Sequence, residues 1–145
     1  MRRLDLFVAE DNEADLYWLK MVLREMGIDG ALRVAYDGEA AREFLLKRGE
    51  YKDAPDPDLI LLDINLPRLT GIEVLREIPN ADKLPICITT SSTMEREFVQ
   101  KRFGLKRMAY LVKPVDREKL LGCFREYEHL RPIADEFEAS KVGAG

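Results

Sequence analysis

The sequence predicts an α/β fold in which a doubly wound parallel sheet of five strands is flanked by five helices. Short apolar runs of strand length alternate along the chain with segments whose apolar residues recur at helical spacing. The run at residues 59–62 is apolar at every position, which is typical of a parallel strand buried on both faces. Strands that alternate with helices in this way build sheets that helices cover on both sides.

Strands and helices are expected to follow one another from residue 4 to about residue 130. The five strands are the short apolar runs, at 4–9, 32–36, 58–62, 85–90 and 109–112. The five helices are expected between and after these runs, at 13–26, 40–45, 72–78, 93–103 and 116–127. The polar segment at 48–57 contains two prolines and is expected to be a loop.

Capping residues set the limits of the first and last of these helices. Asn12 is expected to cap the first helix, with Asp15 in a capping-box-like position, and Gly27 ends it. Asp116 is expected to cap the last helix, and Pro132 breaks or kinks the helical pattern that follows.

Length and composition indicate one domain. The chain has 145 residues and is 46% hydrophobic, which suits a single globular unit with a real core. The predicted elements fill residues 1–130. Residues 131–145 form a C-terminal extension that is either a short helix or disordered, and no room remains for a second domain.

Charge and cysteine usage argue against several classes of function. The net charge is −4, from 23 basic and 27 acidic residues without a basic run, which gives no support for nucleic-acid binding. No apolar stretch is long enough for a bilayer, and the amino terminus lacks a signal-peptide pattern. Cys87 and Cys123 are isolated and are expected to be buried, reduced thiols of a cytoplasmic protein.

Charged residues directly follow three of the predicted strands. Glu10 and Asp11 come after the first strand, Asp63 after the third, and Lys113 after the fifth. Because the loops after parallel strands gather at the carboxyl edge of the sheet, these side chains are expected to meet there. The fourth strand brings a hydroxyl group to the same edge from residues 89–91.

A metal-and-phosphate site is the chemistry that these residue types favour. Clustered carboxylates raise one another's pKa, and a divalent cation relieves their repulsion. Oxygen ligands of this kind suit Mg²⁺, with Mn²⁺ as a substitute. If a phosphoryl group arrives in line, Asp63 can attack it and form an aspartyl-phosphate, while Lys113 supplies a positive charge for a phosphoryl oxygen.

This constellation resembles the receiver domain of two-component response regulators, which has a flavodoxin-like fold. The resemblance covers residues 4–130. It rests on four motifs in the right order, namely Glu10-Asp11, Asp63 with Asn65 and Pro67-x-x-x-Gly71, the hydroxyl run at 89–92, and Lys113-Pro114. It implies that a partner histidine kinase phosphorylates Asp63. The metal ligands that it implies are Asp11, Asp63, the Asn65 carbonyl and, through water, Glu10. It also implies that Lys113 contacts the phosphoryl group and that the bond to Pro114 is cis.

The resemblance also implies a switch, made of a hydroxyl on the fourth strand and an aromatic ring on the fifth. Spacing from Pro85 selects Thr90 as the hydroxyl, and Tyr110 is the ring. The usual spacing back from Lys113 selects Ser91 instead, and Thr89 is a further alternative, so three hydroxyls stay open. The Thr90 hydroxyl would move toward the phosphoryl group, and the Tyr110 ring would turn into the vacated space.

The loop at 49–57 and the run at 57–67 narrow the resemblance to stand-alone regulators that serve phytochrome-type histidine kinases. A kinase of this type, such as a bacteriophytochrome, is therefore the expected partner. No output domain is expected, so the protein is expected to act by binding other proteins, and a homodimer is predicted. Candidate apolar contacts for assembly are Phe103, Leu105, Met108, Ile133 and Phe137.

Other functions on related folds fit the residues less well. A hydrolase that works through an aspartyl-phosphate needs a second Asp where this chain has Asn65. A flavin-binding electron carrier would be hindered by Glu10-Asp11, which repel a flavin phosphate. The main alternative is a degenerate receiver that serves as a phosphorylation-independent binding module or a phosphate sink. Apart from self-phosphorylation and slow autodephosphorylation, the protein is not expected to be an enzyme.

Overall fold

The computed structural model of the protein describes residues 2–104 and 108–144. Within these ranges the strands are β1 (Arg2–Arg3), β2 (Leu6–Ala9), β3 (Ile28–Asp29), β4 (Leu32–Ala35), β5 (Leu59–Asp63), β6 (Ile86–Thr90) and β7 (Ala109–Val112). The helices are α1 (Glu13–Glu25), α2 (Gly38–Leu45), α3 (Gly71–Glu77), α4 (Thr93–Phe103), α5 (Arg117–Arg125) and α6 (Arg131–Ala144).

The main sheet contains five parallel strands in the order β4-β2-β5-β6-β7. The predicted fold class is therefore confirmed, and each predicted strand corresponds to one strand of this sheet. The chain builds β4 on one side of β2 and places β5, β6 and β7 in succession on the other. The order reverses between β2 and β5, which is where open α/β sheets place their sites.

Two apolar clusters, one on each face of the sheet, form the core. One packs α1, α5 and the start of α6 against the face that carries Leu61 and Cys87. The other packs α2, α3 and α4 against the face that carries Ile60 and Ile88. Because β5 and β6 are buried on both faces, their residues are apolar except at the carboxyl ends, where Asp63, Thr89 and Thr90 are buried. The polar residues buried at the ends of these strands therefore stand out.

Two local features depart from the sequence-based prediction. The segment predicted as one strand at 4–9 is shorter, and β1 ahead of it forms a separate parallel pair with β3. The last helix of the predicted five ends at Arg125, so Tyr127 lies in the turn between α5 and α6. Its hydroxyl donates to the Ile86 carbonyl, a polar partner that helical spacing does not reveal.

Residues 131–144 form a sixth helix, which is one of the two alternatives for the C-terminal extension. Pro132 is the second residue of α6, where its missing N–H is not needed by the helix. The helix packs on α5 through Ile133 and Ala134, and Arg125 forms an ion pair with Glu138. None of the helices at 2–104 and 108–144 is both long and apolar enough to cross a membrane.

Several residues that are expected to mediate assembly are not available on the surface described by the structure. Met108 and Ile133 are buried within the core of their own chain, so this part of the prediction is wrong. The ring of Phe137 is partly covered by α5 and lies under the guanidinium of Arg117 at 5.3 Å. Leu105 and the side chain of Phe103 lie outside the described residues. The large apolar side chains exposed on α4 are instead Met94 and Phe98.

Gly38 at the start of α2 lies against the backbone of the loop after β5. Its N–H donates to the Pro67 carbonyl at 3.0 Å, and a Cβ on Gly38 would lie 1.9 Å from the Leu69 carbonyl oxygen. Because backbone atoms cannot move aside as a flexible side chain can, Gly38→Ala is expected to lower the free energy of unfolding by about 2 kcal/mol. Urea denaturation measures this loss.

Gly122 in α5 provides the matched control for this substitution. A Cβ there would meet open space, so Gly122→Ala is expected to raise the free energy of unfolding by about 0.5 to 1 kcal/mol. Equal stabilities for the two alanine variants would contradict the close approach at Gly38.

Candidate functional site

Three strand ends bring acidic and basic side chains together at the carboxyl edge of the sheet. Asp63 is the last residue of β5, Glu10 and Asp11 follow β2 directly, and Lys113 follows β7. The Asp63 and Glu10 side chains are almost fully buried, whereas Asp11 is exposed. A buried carboxylate without a partner is costly, so the contacts of these two acids decide how the edge is stabilised.

The Lys113 ammonium is the cation that neutralises the buried acids. Its Nζ lies 2.7 Å from Asp63 Oδ2, 2.5 Å from Glu10 Oε1 and 3.1 Å from Asp15 Oδ2. The sequence predicts that these residues meet at one edge of the sheet, because each follows a parallel strand, but it does not predict which of them pair. The contact with Asp15 is new, since this residue was expected only to support the cap of α1.

The environment shifts the pKa of the groups in this cluster. Burial raises the pKa of Glu10 to about 7, an effect that the hydrogen bond to Lys113 opposes and the neighbouring Asp63 reinforces. Burial lowers the pKa of Lys113, but the hydrogen bonds to Asp63 and Glu10 outweigh it and raise that pKa above its ordinary value. Lys113 therefore stays charged, and Glu10 is the group that titrates near neutral pH.

Glu10, Asp11 and Asp63 form a cluster that could hold a metal ion. One oxygen from each carboxylate lies within 4.8 Å of the others. Backbone N–H groups orient two of these acids, since Asn12 donates to Glu10 Oε2 at 3.1 Å and Asn65 donates to Asp63 Oδ1 at 3.0 Å. An all-oxygen donor set of this kind, open to solvent at Asp11, suits a hard divalent cation.

The two proposed switch residues lie on the sheet face opposite Asp63. Asp63 pairs with Thr89, so these two side chains point to the same face, and Thr90 points to the other. Thr90 is fully buried, and its hydroxyl donates to the Ser92 carbonyl at 3.2 Å. Tyr110 pairs with Ile88 and so shares the face of Thr90. Burial raises the pKa of Tyr110 to about 12, against an opposing effect of a nearby arginine. The choice of Thr90 over Thr89 and Ser91 stays a prediction.

The loop after β7 is fixed to α1. The Lys113–Pro114 peptide bond is cis, as the resemblance implied. One residue further on, the Val115 carbonyl accepts a hydrogen bond from the indole N–H of Trp18 at 2.9 Å. Trp18, Lys113 and Val115 line a small pocket of about 30 Å³. The only tryptophan of the chain therefore lies beside the acidic cluster.

Two further site residues were not predicted from the sequence. Asp15 contacts Lys113, as described above, and Glu95 in the first turn of α4 contacts Asn65. Asn65 Nδ2 donates to Glu95 Oε2 at 3.0 Å. Both lie in the first turn of a helix, α1 for Asp15 and α4 for Glu95, and this position alone does not indicate which residue each one contacts.

Comparison with known proteins agrees with the geometry. The chain matches the response regulator receiver domain family over residues 6–125. It is 39% identical over 111 residues to the response regulator Rcp1 of Synechocystis sp., which covers 74% of this chain and 75% of Rcp1. The Mn²⁺-bound form of Rcp1 superposes with a TM-score of 0.65 at 35% identity, covering 81% of this chain and 86% of that structure.

Two further solved structures are similar over most of their length. The bacteriophytochrome response regulator AtBRR superposes with a TM-score of 0.76 at 29% identity, covering 87% of this chain and 93% of AtBRR. The phosphorylated cyanobacterial phytochrome response regulator RcpA has a TM-score of 0.67 at 29% identity, covering 90% and 91%. The family match, the shared fold and the acidic cluster at the carboxyl edge agree. The chain belongs to the response regulator receiver domain family of two-component signalling systems, and it is similar to phytochrome response regulators.

Proposed function

We propose that Asp63 accepts a phosphoryl group from a histidine kinase and that the protein signals through altered association with other proteins. One observation carries this proposal. Asp63 is nearly buried at the end of the central strand, and both of its carboxylate oxygens have hydrogen-bond donors, from Lys113 and from the Asn65 N–H. These contacts fix the carboxylate in one orientation, which favours attack on an incoming group.

The acidic cluster fits a divalent cation, and we propose Mg²⁺, with Mn²⁺ as a substitute. The residues that would hold it are Asp11, Asp63, the Asn65 carbonyl and, through water, Glu10. When bound, the cation would neutralise these carboxylates and the negative charge of the phosphoryl oxygens. Support comes from the proximity of the three carboxylates and from the Mn²⁺ bound to Rcp1.

Lys113 would hold a phosphoryl oxygen through its ammonium, which already lies 2.7 Å from the acceptor carboxylate. Its raised pKa keeps it charged throughout the physiological range. The phosphoryl group adds about two negative charges at this edge. Thr90 would move toward them, and the Tyr110 ring would follow, which reshapes the face formed by α4, β7 and α5.

The partner that we propose is a phytochrome-type histidine kinase, because Rcp1, AtBRR and RcpA are similar to this chain. We also propose that the protein is cytoplasmic and forms a homodimer. The exposed Met94 and Phe98 of α4 are candidate contacts in place of the buried Met108 and Ile133. Catalysis would be confined to self-phosphorylation and slow autodephosphorylation, and neither nucleic acid nor a membrane would take part.

Incubation with acetyl phosphate and Mg²⁺ tests the proposal. Intact mass is expected to show a single phosphoryl adduct that depends on Mg²⁺ and is lost in Asp63→Asn. The reason is that an amide cannot replace the carboxylate as nucleophile. Native mass spectrometry of the same samples reports whether a dimer forms and whether the adduct changes it.

Asp82→Asn is the matched control, because Asp82 is exposed and precedes β6, whereas the site lies where the strands end. It is expected to be phosphorylated like the wild type. A folded, Mg²⁺-binding protein without an adduct would contradict the proposal and favour a phosphorylation-independent binding module. A monomer at every concentration, with and without the adduct, would contradict the homodimer alone.

A further inference from the structure

The carboxylate of Glu95 connects the two loops beside the acceptor site. Its Oε2 accepts a hydrogen bond from Asn65 Nδ2 in the loop after β5, at 3.0 Å. Its Oε1 accepts one from the Ser91 N–H in the loop after β6, also at 3.0 Å. Asn65 in turn donates its own backbone N–H to Asp63 Oδ1. The Glu95 carboxylate is thus connected to Asp63, the proposed phosphoacceptor, through hydrogen bonds of one intervening residue, Asn65.

Comparison with α3 shows that this arrangement is more than ordinary helix capping. In α3, Glu73 occupies the third helical position and bends back to accept the N–H of the capping residue Thr70, as a capping box requires. Glu95 occupies the same position in α4, whose capping residue is Ser92. Its carboxylate reaches the preceding residue, Ser91, and turns its second oxygen toward the other loop. These contacts therefore connect the helix terminus to the loop that follows β5, in addition to capping the helix.

We propose that Glu95 is a positioning residue that holds α4 and Asn65 in the unphosphorylated arrangement and that phosphorylation of Asp63 releases it. This inference rests on the proposed phosphorylation. In the unphosphorylated protein, the Glu95 carboxylate accepts hydrogen bonds from two donors in the loops beside the acidic cluster. A phosphoryl group brings about two negative charges and three acceptor oxygens to the same place. It repels the Glu95 carboxylate and competes for its donors.

Two consequences follow from this competition. Glu95 opposes phosphorylation, because part of the free energy of forming the phosphorylated state is spent on separating the carboxylate from Ser91 and Asn65. Its release also removes the bonds that join the first turn of α4 to Ser91 and to Asn65 in the loop after β5. The charge change at Asp63 thereby reaches the helix that carries the exposed Met94 and Phe98.

Beryllofluoride, a phosphoryl mimic that needs no kinase, tests the inference on the full chain with Mg²⁺. Its affinity is measured from the fluorescence of Trp18, which lies beside the site. Glu95→Gln removes the charge and keeps the shape, and Glu95→Ala removes both. Both variants are expected to bind the mimic roughly three- to fivefold more tightly, as befits one partly exposed charge contact. Glu97→Gln makes the same charge change at an exposed position of α4 and is expected to leave the affinity unchanged.

Nitrogen-15 NMR measures amide chemical shifts, which distinguish the proposed release of Glu95 from a purely structural role. In the wild type, the mimic is expected to shift the Ser91 amide and the Asn65 side-chain amide signals. In free Glu95→Ala, the Asn65 side-chain signal is expected to lie already near its mimic-bound position. Equal affinities for Glu95→Gln and Glu97→Gln, or an Asn65 signal that the mimic leaves unchanged, would overturn the inference alone. A wild type that does not bind the mimic would overturn the proposed phosphorylation together with the inference.

Discussion

Lys113→Met is expected to lower the free energy of unfolding by about 3 kcal/mol in Mg²⁺-free buffer at about pH 8. The Lys113 ammonium is the one cation in contact with both Asp63 and Glu10, among the described contacts of these acids. Both carboxylates are almost fully buried, so removal of their partner leaves charge in a poorly solvated place. Methionine keeps the length of the side chain, so the loss reports on the missing charge.

Two conditions should reduce this loss. At about pH 6 Glu10 takes up a proton, because its pKa is already near 7 in the presence of Lys113 and rises further without it. Excess Mg²⁺ should restore part of the stability by replacing the lost positive charge, and the variant should bind Mg²⁺ more tightly than the wild type. Both effects have one cause, which is the repulsion among the clustered carboxylates.

Urea denaturation with chelator and with excess Mg²⁺ measures the effect of Lys113→Met. Lys101→Met serves as the control, because Lys101 is an exposed residue near the end of α4. It is expected to change the stability by less than about 0.5 kcal/mol. If the two variants had equal stabilities in chelator, Lys113 would not be the stabilising partner of the buried acids.

Stability in the absence of metal is expected to fall by about 2 kcal/mol as the pH rises from about 5 to about 8. The cause is Glu10, whose pKa burial raises from 4.5 to about 7. The folded protein holds this proton more tightly than the unfolded chain does. The contribution is therefore complete below pH 4.5 and is lost as the pH rises through about 7.

Glu10→Gln isolates this contribution, since an amide does not titrate. Its stability in chelator should vary less between about pH 5 and pH 8, so the two proteins should differ most at the upper end of this range. Thermal or urea denaturation across the range measures the difference. Mg²⁺ affinity of the wild type should rise with pH over the same interval, because protons compete with the cation for the carboxylates. Parallel stability curves for the two proteins would show that Glu10 is ionised in the folded state throughout.

Local sequence patterns were sufficient to predict most of the fold and most of the residues of the site. The five strands of the main sheet are short, apolar and separated by helical segments, so their existence could be inferred without knowledge of their partners. Once the sheet is parallel, residues that follow its strands must lie at one edge. Glu10, Asp11, Asp63 and Lys113 could be placed together on that argument alone.

Contacts between distant segments could not be inferred in the same way. Asp15 and Glu95 lie in first turns of helices, where acids are common because they interact well with the helix dipole. Nothing in their local pattern distinguishes this general role from contacts with Lys113 and Asn65. The burial of Met108 and Ile133 likewise depends on how their segments pack on the sheet and on α5.

The sequence by itself determined the parallel sheet, the carboxyl edge and the four charged residues that meet there, because strand periodicity and connection rules act locally along the chain. Only the tertiary structure decided which of these charges pair, how deeply each is buried and how far Glu10 is shifted toward neutral pH. Those properties depend on distances of a few ångströms between residues up to about a hundred positions apart, such as Asp15 and Lys113. Sequence patterns place such residues at the same edge, and side-chain packing fixes their energies.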